Sequence, residues 1–151
     1  MAAQIVGISL VRNEDIFISQ AITNVADFCD KIIVLDNLST DNTWHEIQTL
    51  RKKYPHIEAH RINDYRESHS YISGYAGSDT WILGIDGDEV YDPTGLKRFR
   101  KCLLAGHFDD QWALFGNVVN CVALDSKRQK ATGYLSPPSR SMTKLFNFSA
   151  L

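Results

Sequence analysis

The sequence has few cysteines and no long apolar run, and each absence excludes a class of protein. Cys29, Cys102 and Cys121 are odd in number and form no C-x-x-C pair, so neither a disulfide framework nor a structural zinc site is expected. No stretch reaches the ~18 consecutive apolar residues of a membrane span. Residues 1–6 lack a charged leader, so no secretory signal is predicted. Reduced core thiols favour a cytoplasmic protein.

A strong net charge is also absent, which argues against nucleic acid as a partner. The 151 residues carry 18 acidic and 16 basic side chains, for a formal net charge of −2, and contain no recognised nucleic-acid-binding motif. The charge is unevenly distributed, because residues 1–90 hold 14 acids and seven bases whereas residues 91–151 hold four acids and nine bases. The acidic part is suited to a cation and the basic part to an anion.

Strand-like and helix-like segments alternate along the first hundred residues. Predicted strands lie at residues 5–11, 31–35, 57–62 and 80–85, and all but 57–62 are largely apolar. Predicted helices lie at residues 16–28, 43–54, 66–76 and 92–103. Thr43 and Glu46 fit a capping box, and Asp92 followed by proline fits a helix start. This order predicts an α/β fold with a mostly parallel open sheet flanked by helices. From Gln111 onward the pattern predicts a smaller mixed or antiparallel part, with a last strand at residues 145–148.

Acidic side chains follow three of the predicted strands. Residues 12–15 follow the first strand, Asp36 ends the second, and residues 86–89 (D-G-D-E) follow the fourth. Ligands of open parallel sheets bind beyond the carboxyl ends of the strands, so these acids are candidate site residues. Asp36 is placed to accept a hydrogen bond from a base or a ribose hydroxyl, and its alternative role is to cap the turn that follows.

The D-G-D-E segment is the sharpest of these features. Asp86 and Asp88 lie close enough to repel each other, and a divalent cation relieves that repulsion. Oxygen ligands favour Mg²⁺ or Mn²⁺, and phosphate oxygens of a substrate usually complete such a site. Gly87 lets the backbone turn and lets a ligand approach. The alternative is that one of the aspartates caps the turn before Asp92.

Three segments, taken in order, resemble the family 2 glycosyltransferases of the GT-A fold. They are residues 11–14 (V-R-N-E), 33–43 (I-V-L-D-N-L-S-T-D-N-T) and 81–89 (W-I-L-G-I-D-G-D-E). The second is similar to that family's "VVDNGSTDGT" run, and the third to its "hhhDADE" form of the D-x-D motif. The resemblance covers roughly residues 4–104. It implies a single GT-A-like domain over residues 1–151, with a nucleotide-sugar-binding part at 1–104 and a partial acceptor-side part at 105–151.

The resemblance implies a nucleotide pocket formed by specific residues. Arg12 and Glu14 would line it, Asp36 would hydrogen-bond the base, and Arg66 is the residue singled out in a segment that would reach the nucleotide or the sugar. Leu38 departs from the family run, which has glycine there, so the turn after Asp36 is expected to be less free.

The resemblance also implies a metal-dependent sugar transfer from a nucleoside-diphosphate sugar to an unknown acceptor, either a saccharide or a lipid-linked one. Asp86 would contact the ribose or the metal, and Asp88 would ligate the Mn²⁺ or Mg²⁺ that holds the diphosphate. Apart from the resemblance, the loop-like segment 127–130 (K-R-Q-K) and Arg140 are candidates to close over a diphosphate or to contact an anionic lipid surface, and the alternative is a solvated loop. No downstream acid matches the family's catalytic base motif, so no catalytic residue is assigned.

Two alternatives stay open at the level of sequence. One is a nucleotide-sugar-binding module without transfer activity. The other is a phosphatase of the haloacid dehalogenase type, in which Asp86 would be the nucleophile and Asp88 the acid/base.

Overall fold

The computed structural model of the chain describes residues 3–125, 128, 130–136 and 142–151. Its strands are β1 (Gln4–Val11), β2 (Lys31–Asp36), β3 (Ile57–Arg61), β4 (Thr80–Gly84), β5 (Ala113–Gly116), β6 (Val119–Asp125), β7 (Lys130–Leu135) and β8 (Met142–Asn147). Its α-helices are α1 (Ile18–Val25), α2 (Thr43–Lys53) and α3 (Pro93–Leu104), and 3₁₀ turns cover Tyr65–Tyr71, Ser73–Tyr75 and Phe148–Ala150.

Six strands form one sheet in the order β3-β2-β1-β4-β8-β5. The strands β1, β2, β3 and β4 pair in parallel, whereas β8 runs antiparallel to both β4 and β5. The strands β6 and β7 form a separate antiparallel pair. The predicted α/β fold, with its mostly parallel sheet and its smaller antiparallel part, is confirmed. The division of the chain near residue 104 stays a prediction.

Each face of the sheet has its own apolar core. In β2, Ile32 and Val34 pack on the face covered by α1, α2 and α3. The alternate residues Ile33 and Leu35 pack on the opposite face, which the 3₁₀ turns cover. A strand buried on both faces has no polar side to expose, which explains why the middle of β2 is a continuous apolar run in the sequence.

The segment after β3, predicted to be helical, forms two successive 3₁₀ turns rather than an α-helix. Its serines explain the difference, because the Ser70 hydroxyl donates to the Glu67 carbonyl at 2.7 Å and the Ser73 hydroxyl donates to the Ser70 carbonyl at 3.2 Å. Such local bonds compete with the hydrogen bonds of an α-helix.

The predicted helix starts are correct, but one of the two predicted caps is wrong. Asp92 caps α3 by accepting from the backbone N–H groups of residues 94 and 95. The helix α2 begins at Thr43, yet Thr43 and Glu46 form no capping box. The Thr43 hydroxyl instead donates to Asp41 at 2.6 Å, and Glu46 accepts from the Ser19 hydroxyl at 2.7 Å. A neighbour in the turn therefore binds the Thr43 hydroxyl, and a residue of α1 binds Glu46, in place of the capping box.

The cysteines are free, as predicted. Cys29 is buried, Cys102 is half-buried and Cys121 is exposed. Burial raises the pKa of the Cys29 thiol to about 12, so this side chain is an uncharged core residue at neutral pH. Within the described part of the chain, no helix has both the length and the apolar character that crossing a bilayer requires.

Candidate functional site

The loops that follow β1 and β2 meet at the carboxyl edge of the sheet and are joined by hydrogen bonds. The Asn13 N–H donates to the Ser39 hydroxyl at 2.9 Å, and the Thr40 N–H donates to the Asn13 side-chain oxygen at 2.9 Å. The Glu14 N–H donates to the Thr43 hydroxyl at 2.7 Å. These bonds hold the backbone of Glu14 against the start of α2.

Two residues of these loops have left-handed backbones. Asn13 has a φ of 59° and Leu38 a φ of 51°. Asparagine tolerates this conformation, whereas leucine does so at a cost of roughly 1–2 kcal/mol. Leu38 therefore takes up a glycine-like conformation without being glycine.

Replacing Leu38 by glycine is expected to raise the free energy of unfolding by about 0.5–1 kcal/mol. The relief of strain exceeds the added flexibility of the unfolded chain, and the Leu38 side chain is 44% exposed, so little packing is lost. Leu38→Ala keeps the strained Cβ and is the matched control. Urea denaturation measures both variants, and a glycine variant no more stable than the alanine variant would contradict the strain.

Asp36 lies at the end of β2 and is fully buried. One of its carboxylate oxygens accepts from Arg61 Nε at 2.8 Å, and the other accepts from the Ser39 N–H at 3.1 Å. The Arg61 guanidinium also donates to the Ser39 carbonyl at 2.8 Å. Asp36 thus holds its own turn and anchors β3 to it. Its contact with a nucleotide base stays a prediction.

The D-G-D-E segment, residues 86–89, forms a tight turn beyond β4 that we call the acidic turn. A Cβ on Gly87 would lie 3.1 Å from Glu14 Cγ and 3.3 Å from Val11 Cγ1, so the loop after β1 packs directly on this turn. Burial raises the pKa of Glu14, and the negative charges of Asp88 and Asp41 raise it further. The structure therefore brings Glu14 and Asp88 together, as expected of acids that follow neighbouring strands.

Lys144 of β8 is the residue of this region that sequence analysis missed. It is 5% exposed, and its ammonium donates to Asp86 Oδ2 at 2.7 Å and to Glu89 Oε2 at 2.5 Å. Burial alone would lower the pKa of Lys144, but the two carboxylates hold it above its usual value. No local motif marks this lysine, because 55 residues separate it from Glu89.

A cleft of about 340 Å³ opens beside Asp86. Its walls include Ile8 and Leu10 of β1 and Ser68 and His69 of the 3₁₀ turn. Leu10 is 41% exposed there, so the cleft offers an apolar wall next to a carboxylate. A second cleft of about 380 Å³ lies between α1 and α3, away from the strand ends that carry the acids.

Neither Arg12 nor Arg66 is among the residues that line the cleft beside Asp86. Arg12 is exposed just beyond β1. The Arg66 side chain is 74% exposed, and its guanidinium pairs with Asp64, two residues away. Ser68 and His69, rather than Arg66, face the cleft from this segment. The contact of Arg12 and Arg66 with a nucleotide stays a prediction.

The donor set at the acidic turn suits a cation that a substrate helps to bind. In the described residues, no cluster of three or more His, Cys, Asp or Glu side chains could hold a metal. Asp88 is exposed, and Asp86 has one oxygen that Lys144 does not contact. One or two carboxylates completed by phosphate oxygens are the usual protein environment of Mg²⁺. The acidic turn therefore fits a cation shared with a diphosphate.

The basic segment near the end of the chain is described only in part. Residues 127, 129 and 140 lie outside the described residues. Arg128 lies 3.7 Å from Asp125, and Lys130 begins β7. The predicted contact of this segment with a diphosphate or a membrane surface stays a prediction.

The family of the chain follows from comparison with known proteins. Residues 8–145 match the family model described as glycosyl transferase family 2. The chain belongs to this family. The predicted family is thereby confirmed on a match that includes Glu14, the acidic turn and Lys144.

Relatives of this family 2 chain carry glycosyltransferase names. An uncharacterized glycosyltransferase of Rickettsia typhi is 35% identical over 106 residues, which are 70% of this chain and 35% of the relative. The SPbeta prophage-derived glycosyltransferase SunS of Bacillus subtilis is 28% identical over 139 residues, which are 90% of this chain and 30% of the relative. The chain thus spans about a third of the length of these curated relatives.

Solved structures share the fold of this family 2 chain. The mannosyltransferase PcManGT of Pyrobaculum calidifontis, solved with GDP-Man and Mn²⁺, superposes with a TM-score of 0.51 at 15% identity, over 68% of this chain and 33% of that one. The 4-diphosphocytidyl-2C-methyl-D-erythritol synthase of Anaerococcus prevotii superposes with a TM-score of 0.59 at 14% identity, over 99% of this chain and 72% of that one. The two names show that one fold serves more than one chemistry.

Proposed function

We propose that the chain is the nucleotide-sugar-binding part of a metal-dependent glycosyltransferase. It would take a sugar from a nucleoside diphosphate and transfer it to a saccharide or lipid-linked acceptor. The observation that carries the proposal is the acidic turn, which lies at the carboxyl end of β4, against Glu14 and beside an open cleft. Family 2 membership favours this interpretation of the turn over a phosphatase of the haloacid dehalogenase type.

The acidic turn supplies the residues that would hold a divalent cation. Asp88 and the Asp86 oxygen not contacted by Lys144 would bind Mn²⁺ or Mg²⁺ together with diphosphate oxygens. When bound, such a cation stabilises the negative charge that develops on a departing diphosphate. The similar fold of PcManGT, which was solved with GDP-Man and Mn²⁺, supports a divalent cation bound together with a nucleotide sugar.

The surrounding loops supply the nucleotide pocket in this proposal. The Glu14 N–H is bonded to the Thr43 hydroxyl, so the backbone of Glu14 is held beside the acidic turn. Arg12 is exposed at the same edge and is available to a phosphate or a base. Asp36 stiffens the turn after β2 and would hydrogen-bond the nucleotide base from that position. A preorganised pocket of this kind stabilises charge without moving during the reaction.

The experiment is calorimetric titration of the chain with UDP, GDP, dTDP and CDP, each with and without Mn²⁺. We expect one nucleotide to bind at least ~10-fold more tightly with Mn²⁺, because the diphosphate and the carboxylates share the cation. Sugar nucleotides that carry the base of the tightest-binding nucleotide are then tested for hydrolysis by the chain. Tight binding without turnover would make the chain a binding module, and binding of none of the four would contradict the donor site.

A further inference from the structure

Lys144 reaches the acidic turn because β8 is inserted between β4 and β5. Leu83 of β4 is paired with Leu145 of β8, so Lys144 lies opposite Gly84, the last residue of β4. A Cβ on Gly84 would lie 3.9 Å from the Lys144 carbonyl oxygen, which places the two backbones side by side at this edge. The lysine therefore approaches the turn from a strand in the interior of the sheet, not from a mobile loop.

The contacts of Lys144 divide the acids of the turn into two groups. Its ammonium, on a side chain that is only 6% exposed, bonds Asp86 and Glu89 at 2.7 and 2.5 Å. Asp88 points to solvent and faces Glu14 instead. Lys144 thus offsets one of the two negative charges of Asp86 and Glu89, and the turn as a whole, with Asp88, keeps an excess of negative charge.

A divalent cation at Asp86 and Asp88 would lie next to this ammonium. The two cations would share Asp86, and like charges so close repel each other. The negative charge of a bound diphosphate would offset that repulsion. Lys144 would therefore lower the affinity of the site for the cation alone more than its affinity for the cation bound with a diphosphate.

We propose that Lys144 is a positioning residue that holds Asp86 and Glu89 in place and makes cation binding at the acidic turn depend on the diphosphate. This inference rests on the proposed function, since it takes Asp86 and Asp88 as the cation ligands. It adds a coupling to that function: the cation binds tightly together with the diphosphate and weakly without it.

The test is Mn²⁺ affinity, measured by electron paramagnetic resonance, in the wild type, Lys144→Gln and Lys144→Arg. The glutamine keeps a hydrogen-bond donor but removes the charge, whereas the arginine keeps the charge. Without nucleotide, we expect Lys144→Gln to bind Mn²⁺ at least ~10-fold more tightly than the wild type, and Lys144→Arg to bind like the wild type. The gain in Mn²⁺ affinity on adding the nucleoside diphosphate should shrink in Lys144→Gln.

Equal or weaker Mn²⁺ binding in a folded Lys144→Gln variant would overturn the inference, and thermal melts followed by circular dichroism report the folding. If that variant does not fold, Lys144→Met takes its place with the same expectation. Nucleotide titrations separate the two proposals. Normal metal-dependent nucleotide binding with unchanged Mn²⁺ affinity refutes the role of Lys144 alone. Tighter Mn²⁺ binding in a Lys144→Gln variant of a chain that binds none of the nucleotides refutes the donor site and the dependence on the diphosphate, and supports only the repulsion between Lys144 and the cation.

Discussion

Asp88→Asn is expected to lower Mn²⁺-supported hydrolysis of the sugar nucleotide at least ~100-fold. The proposed cation stabilises charge on the departing diphosphate by several kcal/mol, and an amide in place of the carboxylate loses most of that contribution. Asp88 is exposed beside Glu14, so the substitution changes charge without opening the core. Initial rates over a series of Mn²⁺ concentrations measure the effect.

The matched control for this variant is Asp79→Asn. Asp79 is an exposed aspartate that precedes β4, at the opposite end of the strand from the acidic turn. Its substitution removes the same charge far from the site, so the hydrolysis rate should stay within about twofold of the wild type. The free energy of unfolding of both variants should lie within ~0.5 kcal/mol of the wild-type value, as is usual for surface substitutions. An Asp88→Asn rate within threefold of the wild type would show that Asp88 holds no essential cation.

Trp81→Ala is expected to cost about 3–5 kcal/mol of stability, the range for large-to-small substitutions of buried aromatic residues. Trp81 is 1% exposed and lies in the middle of the sheet, where it is paired with Ile5 of β1 and Asn147 of β8. Small domains are stable by only about 5–15 kcal/mol, so this one cavity removes a large part of the total. The midpoint and slope of urea denaturation measure the loss.

Trp112→Ala is the control for the tryptophan in the core. Trp112 precedes β5 and is 68% exposed, so its removal should change the free energy of unfolding by no more than ~0.5 kcal/mol. A Trp81→Ala loss below 1 kcal/mol would contradict the assigned core.

Because β4 leads into the acidic turn, we also expect Trp81→Ala to weaken nucleotide binding at temperatures where part of the protein is unfolded.

The order of the early elements could be predicted because their determinants are local. A strand buried on both faces is an apolar run, and Lys31–Asp36 is such a run in sequence and structure. The stripe of apolar residues in α1 and the Asp92 cap of α3 are equally local. The helical character of Tyr65–Tyr71 follows from its pattern, but its 3₁₀ form, with a serine side chain bonded to the backbone, does not.

The site could be predicted only in part. That Glu14 and the acidic turn share one edge follows from the rule that parallel strands end together. The resemblance singles out Arg66, but its neighbour Asp64 pairs with the Arg66 guanidinium, and Ser68 and His69 face the cleft instead. Asp36 is held by Arg61, which is 25 residues away and is brought near by the pairing of β2 with β3.

The sequence by itself determined the alternation of strands and helices, the family, and the acids that end β1, β2 and β4. Each of these depends on periodicity, turns or motifs within about a dozen residues of chain. Only the tertiary structure decided that β8 enters the sheet beside β4 and places Lys144 on Asp86 and Glu89. Strand pairing over more than fifty residues depends on which surfaces pack best in the folded chain, and no local pattern encodes that choice.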